Sequence, residues 1–315
     1  MVEWRSPAPG EFDRSAARVN YSEMANWFIA QVSLVIGAVL LVGPGRARRV
    51  ATFLLVVASG LLPWFAPPRP KGRVLLCFMF LVTVIKTLQI GWTHGPWPAW
   101  RRVWHGLMPF DVRGARVVGP AMDWSMLGVT ALYCAVGALS FAALSALPRQ
   151  PWVLHDLTRY SCGVVFVFAL VGASSEFVRL SHRVFGIAVP PIQRSPLLAR
   201  SVGEFWADRW NRPWSEWLRR FAFLPLARRH HSALGVLAAF TVSGVMHGLL
   251  VLPALGAAAA AMMAGFFLAQ GSVVLAESPL HVREWPTAAS HAWATAVLLL
   301  TSPLFVVPFL RVLGY

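Results

Sequence analysis

Charge is what this chain has least of. Of its 315 residues only 13% are Asp, Glu, Lys or Arg, where a soluble globular domain carries about a quarter. Acids are scarcer still, with 13 Asp and Glu against 28 Lys and Arg. Lysine is nearly missing and stands only at Lys71 and Lys86. The three cysteines, Cys77, Cys134 and Cys162, have no paired spacing, which excludes a disulfide framework, a structural zinc site or a CxxC redox motif. No Asp-rich motif is present that could hold Mg²⁺ on a diphosphate, as intramembrane prenyl transfer requires. No internal repeat is visible and acids are almost absent at membrane depth, which argues against a coupled transporter. The first 26 residues are polar and mixed in charge, without the apolar run of a signal peptide.

What fills the chain is apolar sequence, 57% of it, in long blocks. A bilayer core of ~30 Å takes about 20 apolar helical residues. Blocks of that size lie at 27–43, 49–66, 73–93, 123–147, 161–181, 233–252, 254–276 and 291–312, with a tight turn expected at Pro253. The expected fold is an all-α polytopic membrane protein. It has about eight transmembrane helices around a central tunnel, and short interfacial helices in the 182–232 loop. We read 1–315 as a single integral membrane domain with a polar segment at 1–26. The net charge of +15 would point to nucleic acid in a soluble protein. Here the arginines sit between apolar blocks, where they set topology and meet anionic headgroups, so no nucleic-acid partner is expected. The loop 182–232 alone holds nine arginines, which places it on the cytoplasmic side of what is expected to be a bacterial inner membrane.

That loop contains "SVGEFWADRWNRPWSEWLRR", residues 201–220. Ser201 and Glu204 have capping-box spacing, which predicts a helix from Val202. Trp206, Trp210, Trp214, Trp217 and Phe221 follow three or four residues apart and would share one helical face. Pro213 predicts two short helices with a bend near Asn211. A Trp face with arginines around it suits an amphipathic helix at headgroup level. That reading leaves Asn211 unexplained, because an amide among tryptophans at a helix break is costly to bury without partners.

The second feature is "FTVSGVMHGLLVL", residues 240–252, where His247 is the one ionisable group in an apolar span. Such groups usually mark a pathway or chemistry; a hydrogen bond across a helix interface is the other reading. Ser243 lies one turn earlier on the same face, and Gly244 and Gly248 form G-x-x-x-G, which lets another helix approach. A neutral imidazole can take a proton from a hydroxyl, as a general base must.

Together, "PLLARSVGEFWADRWNRP" at 196–213 and "FTVSGVMHG" at 240–248 resemble the wax synthase branch of the membrane-bound O-acyltransferase superfamily. The matching positions are Pro196, Leu197, Ser201, Phe205, Trp206, Arg209, Trp210 and Asn211, then Ser243, Gly244 and His247. The resemblance implies transfer of an acyl group from acyl-CoA, as co-substrate, to a hydroxyl acceptor such as a long-chain or other lipid alcohol, giving a wax-type ester. Polar small-molecule alcohols are also served across that superfamily. His247 and Asn211 are then the catalytic pair, His247 as general base and Asn211 as oxyanion donor or positioning group. Attack is direct, with no metal and no resident cofactor. The expected substrate-binding residues are Trp206, Arg209, Trp210, Arg212, Ser243 and Lys86. Arg209, Arg212, Arg219 and Arg220 are candidates for CoA phosphate, although for most of them individually the topology-anchor reading is favoured. The rival reading is a non-catalytic lipid-binding or transport protein.

Lys86, near the end of the third block, either snorkels to the interface or is a buried cation in the tunnel wall. Glu176 is expected to pair with Arg179 or Arg183, and Asp123 and Glu277 to cap span ends.

Overall fold

The computed structural model describes residues 21–92, 97–147 and 153–315. Residues 1–20 of the expected polar segment lie outside them. Three helices, α1 (Tyr21–Leu41), α2 (Arg46–Phe65) and α3 (Pro70–Gly91), pack on one another. A short helix α4 (Ala99–Leu107) follows on the loop side, then strand β1 (Arg116–Val117). Helices α5 (Trp124–Ala146) and α6 (Val153–Val184) form a hairpin, followed by strand β2 (Ile187–Ala188). The loop beyond holds three short helices, α7 (Val202–Glu204), α8 (Arg212–Leu218) and α9 (Leu224–Ala227). Next come the long pair α10 (Ser232–Leu255) and α11 (Ala257–Glu277), and finally α12 (Thr287–Thr301) and α13 (Pro303–Leu313).

Seven of these helices are long and apolar enough to span a bilayer: α1, α2, α3, α5, α6, α10 and α11. The eighth expected span is α12 and α13 together, bent by 48° at Ser302, where Pro303 opens a new helix at its first turn. The chain is thus an all-α polytopic membrane protein. Boundaries shift by a few residues. One change is at the α10–α11 turn, expected at Pro253. Pro253 lies inside α10, and the chain reverses at Gly256 with φ 81° and ψ −177°, a conformation open mainly to glycine. The G-x-x-x-G face packs as its pattern predicts. A Cβ on Gly244 would stand 3.0 Å from the Ala264 carbonyl oxygen, and one on Gly248 3.1 Å from that of Ala260. Only hydrogen at these positions lets α10 and α11 approach so closely.

Contacts among the loops sort them onto two faces. Arg102 donates to the Val42 carbonyl, which joins the loop before α2 to the segment after α3. Strands β1 and β2 pair antiparallel and join that segment to the loop after α6. Val202 bonds Glu277 at the end of α11, and His291 near the start of α12 bonds the Ala199 carbonyl. On the opposite face Arg73 donates to the Pro253 carbonyl and Ser145 meets Tyr315. The loops that follow α1, α3, α6 and α11 therefore share one face, and that face carries most of the arginines.

Two of the local expectations hold, and the one for Lys86 does not. Asp123 caps α5 by accepting from the Met126 amide. Glu176 pairs with Arg179 at 2.6 Å. Lys86 is buried, at 3% exposure, and does not snorkel. Its ammonium donates to the Phe110 carbonyl at 2.7 Å and ties α3 to the loop-side segment that holds α4.

Candidate active site

The segment 201–220 does not lie on the membrane surface. Its tryptophans point into the protein. Trp217 is 7% exposed and packs with Leu81 and Ile85 of α3 and Met246 of α10. Trp206 rests against Phe240, Phe266 and Phe267. Trp210 stacks on Phe205 with ring centroids 5.5 Å apart, and Trp214 meets the ring of His247 at 6.0 Å. The expected single interfacial face is replaced by contacts in several directions. The reason is backbone geometry: Phe205–Arg209 form a π-helical turn, Asn211 is left-handed at φ 42°, and a second π turn follows α8 at Arg219–Phe223. Each departure from 3.6 residues per turn rotates the next aromatic away from a shared stripe.

The start of the segment is held by polar side chains. Ser201 caps α7 by accepting from the Glu204 amide at 2.9 Å, as the capping-box spacing predicts. The Glu204 carboxylate reaches back to the Arg200 amide, one residue beyond the expected partner. The remaining free amides are taken by a residue far away in sequence. Glu277, the last residue of α11, accepts from Val202 at 2.6 Å, Gly203 at 2.9 Å and the Trp293 indole at 3.0 Å. An anion suits the positive end of a helix. Glu277, expected to cap the end of its own span, caps α7 instead.

Asn211 sits at the break between the π turn and α8. Its backbone is pinned on both sides. The amide donates to Gln193 Oε1 at 3.0 Å, and the carbonyl accepts from Trp214 and Ser215. The neighbouring Arg209 carbonyl accepts from Arg194, and the Arg212 amide donates to Ile192. Asn is one of the few residues that tolerates a left-handed backbone. Its side chain makes no cap bond to α8 and lines a cavity.

That cavity has a volume of about 830 Å³. Its loop end carries Asp208, Asn211, Arg212, Glu216 and Arg219; its interior is bounded by Phe168 of α6, Phe267 of α11, Leu298 of α12 and Phe305 of α13. His247 and Ser243 of α10 line it too, so the two motifs meet in one space. His247 Nδ1 lies 2.8 Å from the Ser243 carbonyl oxygen. A carbonyl can only accept, so Nδ1 carries the hydrogen and Nε2 of the neutral ring is the acceptor. Ser243, expected on the same face as His247, bonds the ring through its backbone carbonyl. Phe267 at 4.2 Å and Phe305 at 5.8 Å complete the walls around the imidazole.

Of the residues expected to bind substrate, Trp206, Trp210, Arg212 and Ser243 line this cavity with His247 and Asn211. Arg209 and Lys86 are not brought to it. Arg209 folds back on Glu204 at 2.6 Å and donates to the Ser195 carbonyl, so its charge is spent on holding the loop. Lys86 is turned toward Phe110, beside His105 and Asp111. Burial, with the Lys86 charge next to it, pushes the His105 pKa down to about 3. Burial raises the Glu204 carboxyl, but the Arg200 amide and the Arg209 guanidinium outweigh it and hold Glu204 below the usual range. Among the described residues no group of His, Cys, Asp and Glu could hold a metal ion. Sequence reasoning missed Phe267 and Phe305, whose apolar helices carry no mark of a site, and Gln193, whose role depends on a loop fold.

These features define a polytopic membrane protein with a part-polar cavity that reaches from one face to a histidine in the helix bundle. Residues 189–269 match the model of the Membrane bound O-acyl transferase family. The chain is similar to three proteins of Arabidopsis thaliana, the probable long-chain-alcohol O-fatty-acyltransferases 1, 7 and 2. It is 28% identical to the first over 178 residues, 53% of this chain and 49% of that protein. The second is 30% identical over 142 residues, 41% and 42%; the third is 32% identical over 134 residues, 39% and 39%. The chain therefore spans about half the length, or less, of the curated relatives it matches. Over this segment the chain is similar to the membrane-bound O-acyltransferase family and to long-chain-alcohol O-fatty-acyltransferases of the wax synthase-like kind. The relatives are from a plant and lend no support to the bacterial inner membrane expected from the sequence.

Proposed function

We propose that this protein transfers an acyl group from acyl-CoA to the hydroxyl of a long-chain alcohol, forming a wax-type ester. The observation that carries the proposal is the meeting of Asn211 and His247 in one cavity, with the tautomer of His247 set by the Ser243 carbonyl. Nε2 takes the proton of the alcohol as its oxygen attacks the thioester carbonyl carbon. The Asn211 amide donates to the oxygen as negative charge gathers there. The C–S bond then breaks, and the departing thiolate recovers the proton from the imidazolium. The products are the ester and free CoA, and His247 returns to its neutral form. The apolar interior suits two alkyl chains, and the relatives' names point to a fatty acyl group and a long-chain alcohol. Arg212 and Arg219 line the loop end of the cavity, which supports pairing with CoA phosphates and entry of acyl-CoA from this face.

The test is purified protein in detergent with labelled acyl-CoA and a panel of fatty, sterol, glyceride and small polar alcohols. Ester is expected with the fatty alcohols and not with His247→Ala, which still inserts and purifies. Full activity in that variant would refute the base assignment. Ester only with small polar alcohols would move the acceptor to that class. No transfer to any acceptor would favour a lipid-binding or transport role.

A further inference from the structure

Gln270 lies in α11 with no exposure at all. A primary amide away from water is costly unless its groups find partners. Here both ends are used. Trp206 Nε1 donates to Gln270 Oε1 at 2.9 Å, and Gln270 Nε2 donates to Thr301 Oγ1 at 2.6 Å. The Thr301 hydroxyl passes its own hydrogen to the Val297 carbonyl at 2.8 Å. An indole N–H can only donate, so the direction of the whole chain is fixed and the amide has one orientation.

Each end of this chain bears on the cavity. Trp206 forms part of its wall and presses on Phe267, with ring centroids 5.5 Å apart. Phe267 in turn packs 4.2 Å from His247. At the other end, Thr301 closes α12 at the 48° bend, and the next residue, Ser302, lines the cavity with Phe305. Gln270 itself stands behind the wall. It joins the Trp206 side of the cavity to the bent pair α12–α13.

We propose that Gln270 is a positioning residue that sets the bore of the cavity beside His247, and thereby which alkyl chains the enzyme accepts. This rests on the acyl-transfer reading above. At membrane depth no water replaces a lost bond. Breaking the brace frees the indole to turn and lets α12 move relative to α11, so the bore changes.

The experiment compares the unaltered protein with Gln270→Leu, Thr301→Val and Thr301→Ser. The ratio of kcat/KM for long and medium acyl chains, and for long and medium alcohols, is measured for each. Binding of non-hydrolysable acyl-CoA thioethers of the same lengths is measured in parallel. Gln270→Leu and Thr301→Val should shift the chain-length ratio in the same direction by about tenfold, the scale at which an apolar pocket separates neighbouring chains. Thr301→Ser keeps the hydroxyl and should restore the original ratio. A merely structural role would lower all chain lengths alike. Uniform loss, or Thr301→Ser behaving like Thr301→Val, overturns the proposal. If Gln270→Leu fails to fold, the two Thr301 variants decide. If the unaltered protein transfers no acyl group, the acyl-transfer reading fails, and the thioether ratios still decide on the brace. Binding without any chain-length dependence overturns it.

Discussion

Replacing Asn211 by alanine alone would mislead, because two effects are mixed. The backbone at 211 is left-handed, φ 42° and ψ 57°, a conformation that costs an ordinary L-residue about 1–2 kcal/mol and costs glycine almost nothing. Asn211→Ala therefore removes the amide and strains the break in one step. Asn211→Gly removes the amide without the strain, at up to about 1 kcal/mol of added chain entropy in the unfolded state. The backbone bonds to Gln193, Trp214 and Ser215 survive in both. If the amide donates to the oxyanion, its loss should cost about 10²–10³-fold in kcat, or about 2.7–4 kcal/mol. The alanine variant should lose at least that and also melt earlier, whereas glycine should lose the rate with a nearly unchanged melting midpoint. The assay is ester formation per mole of folded protein, beside a thermal scan in the same detergent. If Asn211→Gly keeps kcat within a few-fold, the residue is there for its backbone and the oxyanion role is refuted.

Three further outcomes follow from the same geometry. Glu277→Ala strips the cap from α7 and leaves the Val202 and Gly203 amides buried, which should cost about 1–3 kcal/mol; a thermal midpoint equal to the unaltered protein would show that the cap is replaceable by water. Lys86→Met should lower stability while leaving KM for acyl-CoA unchanged, since the ammonium is bonded to Phe110 away from the cavity; a raised KM would return Lys86 to the substrate site. Glu204 is a carboxylate held below its ordinary value of 4.5, so its contribution is present above about pH 4.5 and is lost as pH falls through its lower folded value. Glu204→Gln should therefore flatten the acid limb of the stability curve, and a limb that keeps its slope would show that other carboxylates set it.

How far the sequence could be read follows from what each signal depends on. Span number and parity depend on block length and loop charge, and both carry into the fold. So does the bend at Asn211, because proline after a polar residue acts locally. The Trp spacing misled because it assumes one helical period, and two π turns and a left-handed residue intervene. Lys86 was ambiguous because its stem reaches either the interface or a buried carbonyl, and only the fold of 97–114 decides between them. Arg209 looked like a phosphate ligand because nothing local shows that Glu204 and the Ser195 carbonyl claim it first. Glu277 and Gln270 act over 74 and 64 residues, distances at which no pattern in the sequence announces a partner.

Depth explains why the loop is built this way. His247 lies about 22 Å along α10 from its loop-side end, at 1.5 Å per residue, yet the ring of Trp214, three residues past Asn211, stands 6.0 Å from it. Either the loop descends into the bundle or the two motifs cannot meet, and the packing of Trp217 on Leu81, Ile85 and Met246 requires the descent. Irregular backbone survives at such depth only where protein or a cavity surrounds it and its polar groups are bonded. Several backbone groups of the loop meet those conditions through named partners. Glu277 and Ser201 take the first amides of α7. Ser215 gives its hydroxyl to the Trp206 and Trp210 carbonyls left by the π turn, and Gln193 takes the amide at the break. Tryptophan brings bulk for the core to the descent, and its donor is satisfied at Trp206, by Gln270, while the Trp214 and Trp217 indole N–H groups are buried without a partner. The carboxylate at the end of α11 and the aromatic run of the loop are thus two parts of one device. It carries a polar asparagine down to a histidine that the membrane would otherwise keep out of reach.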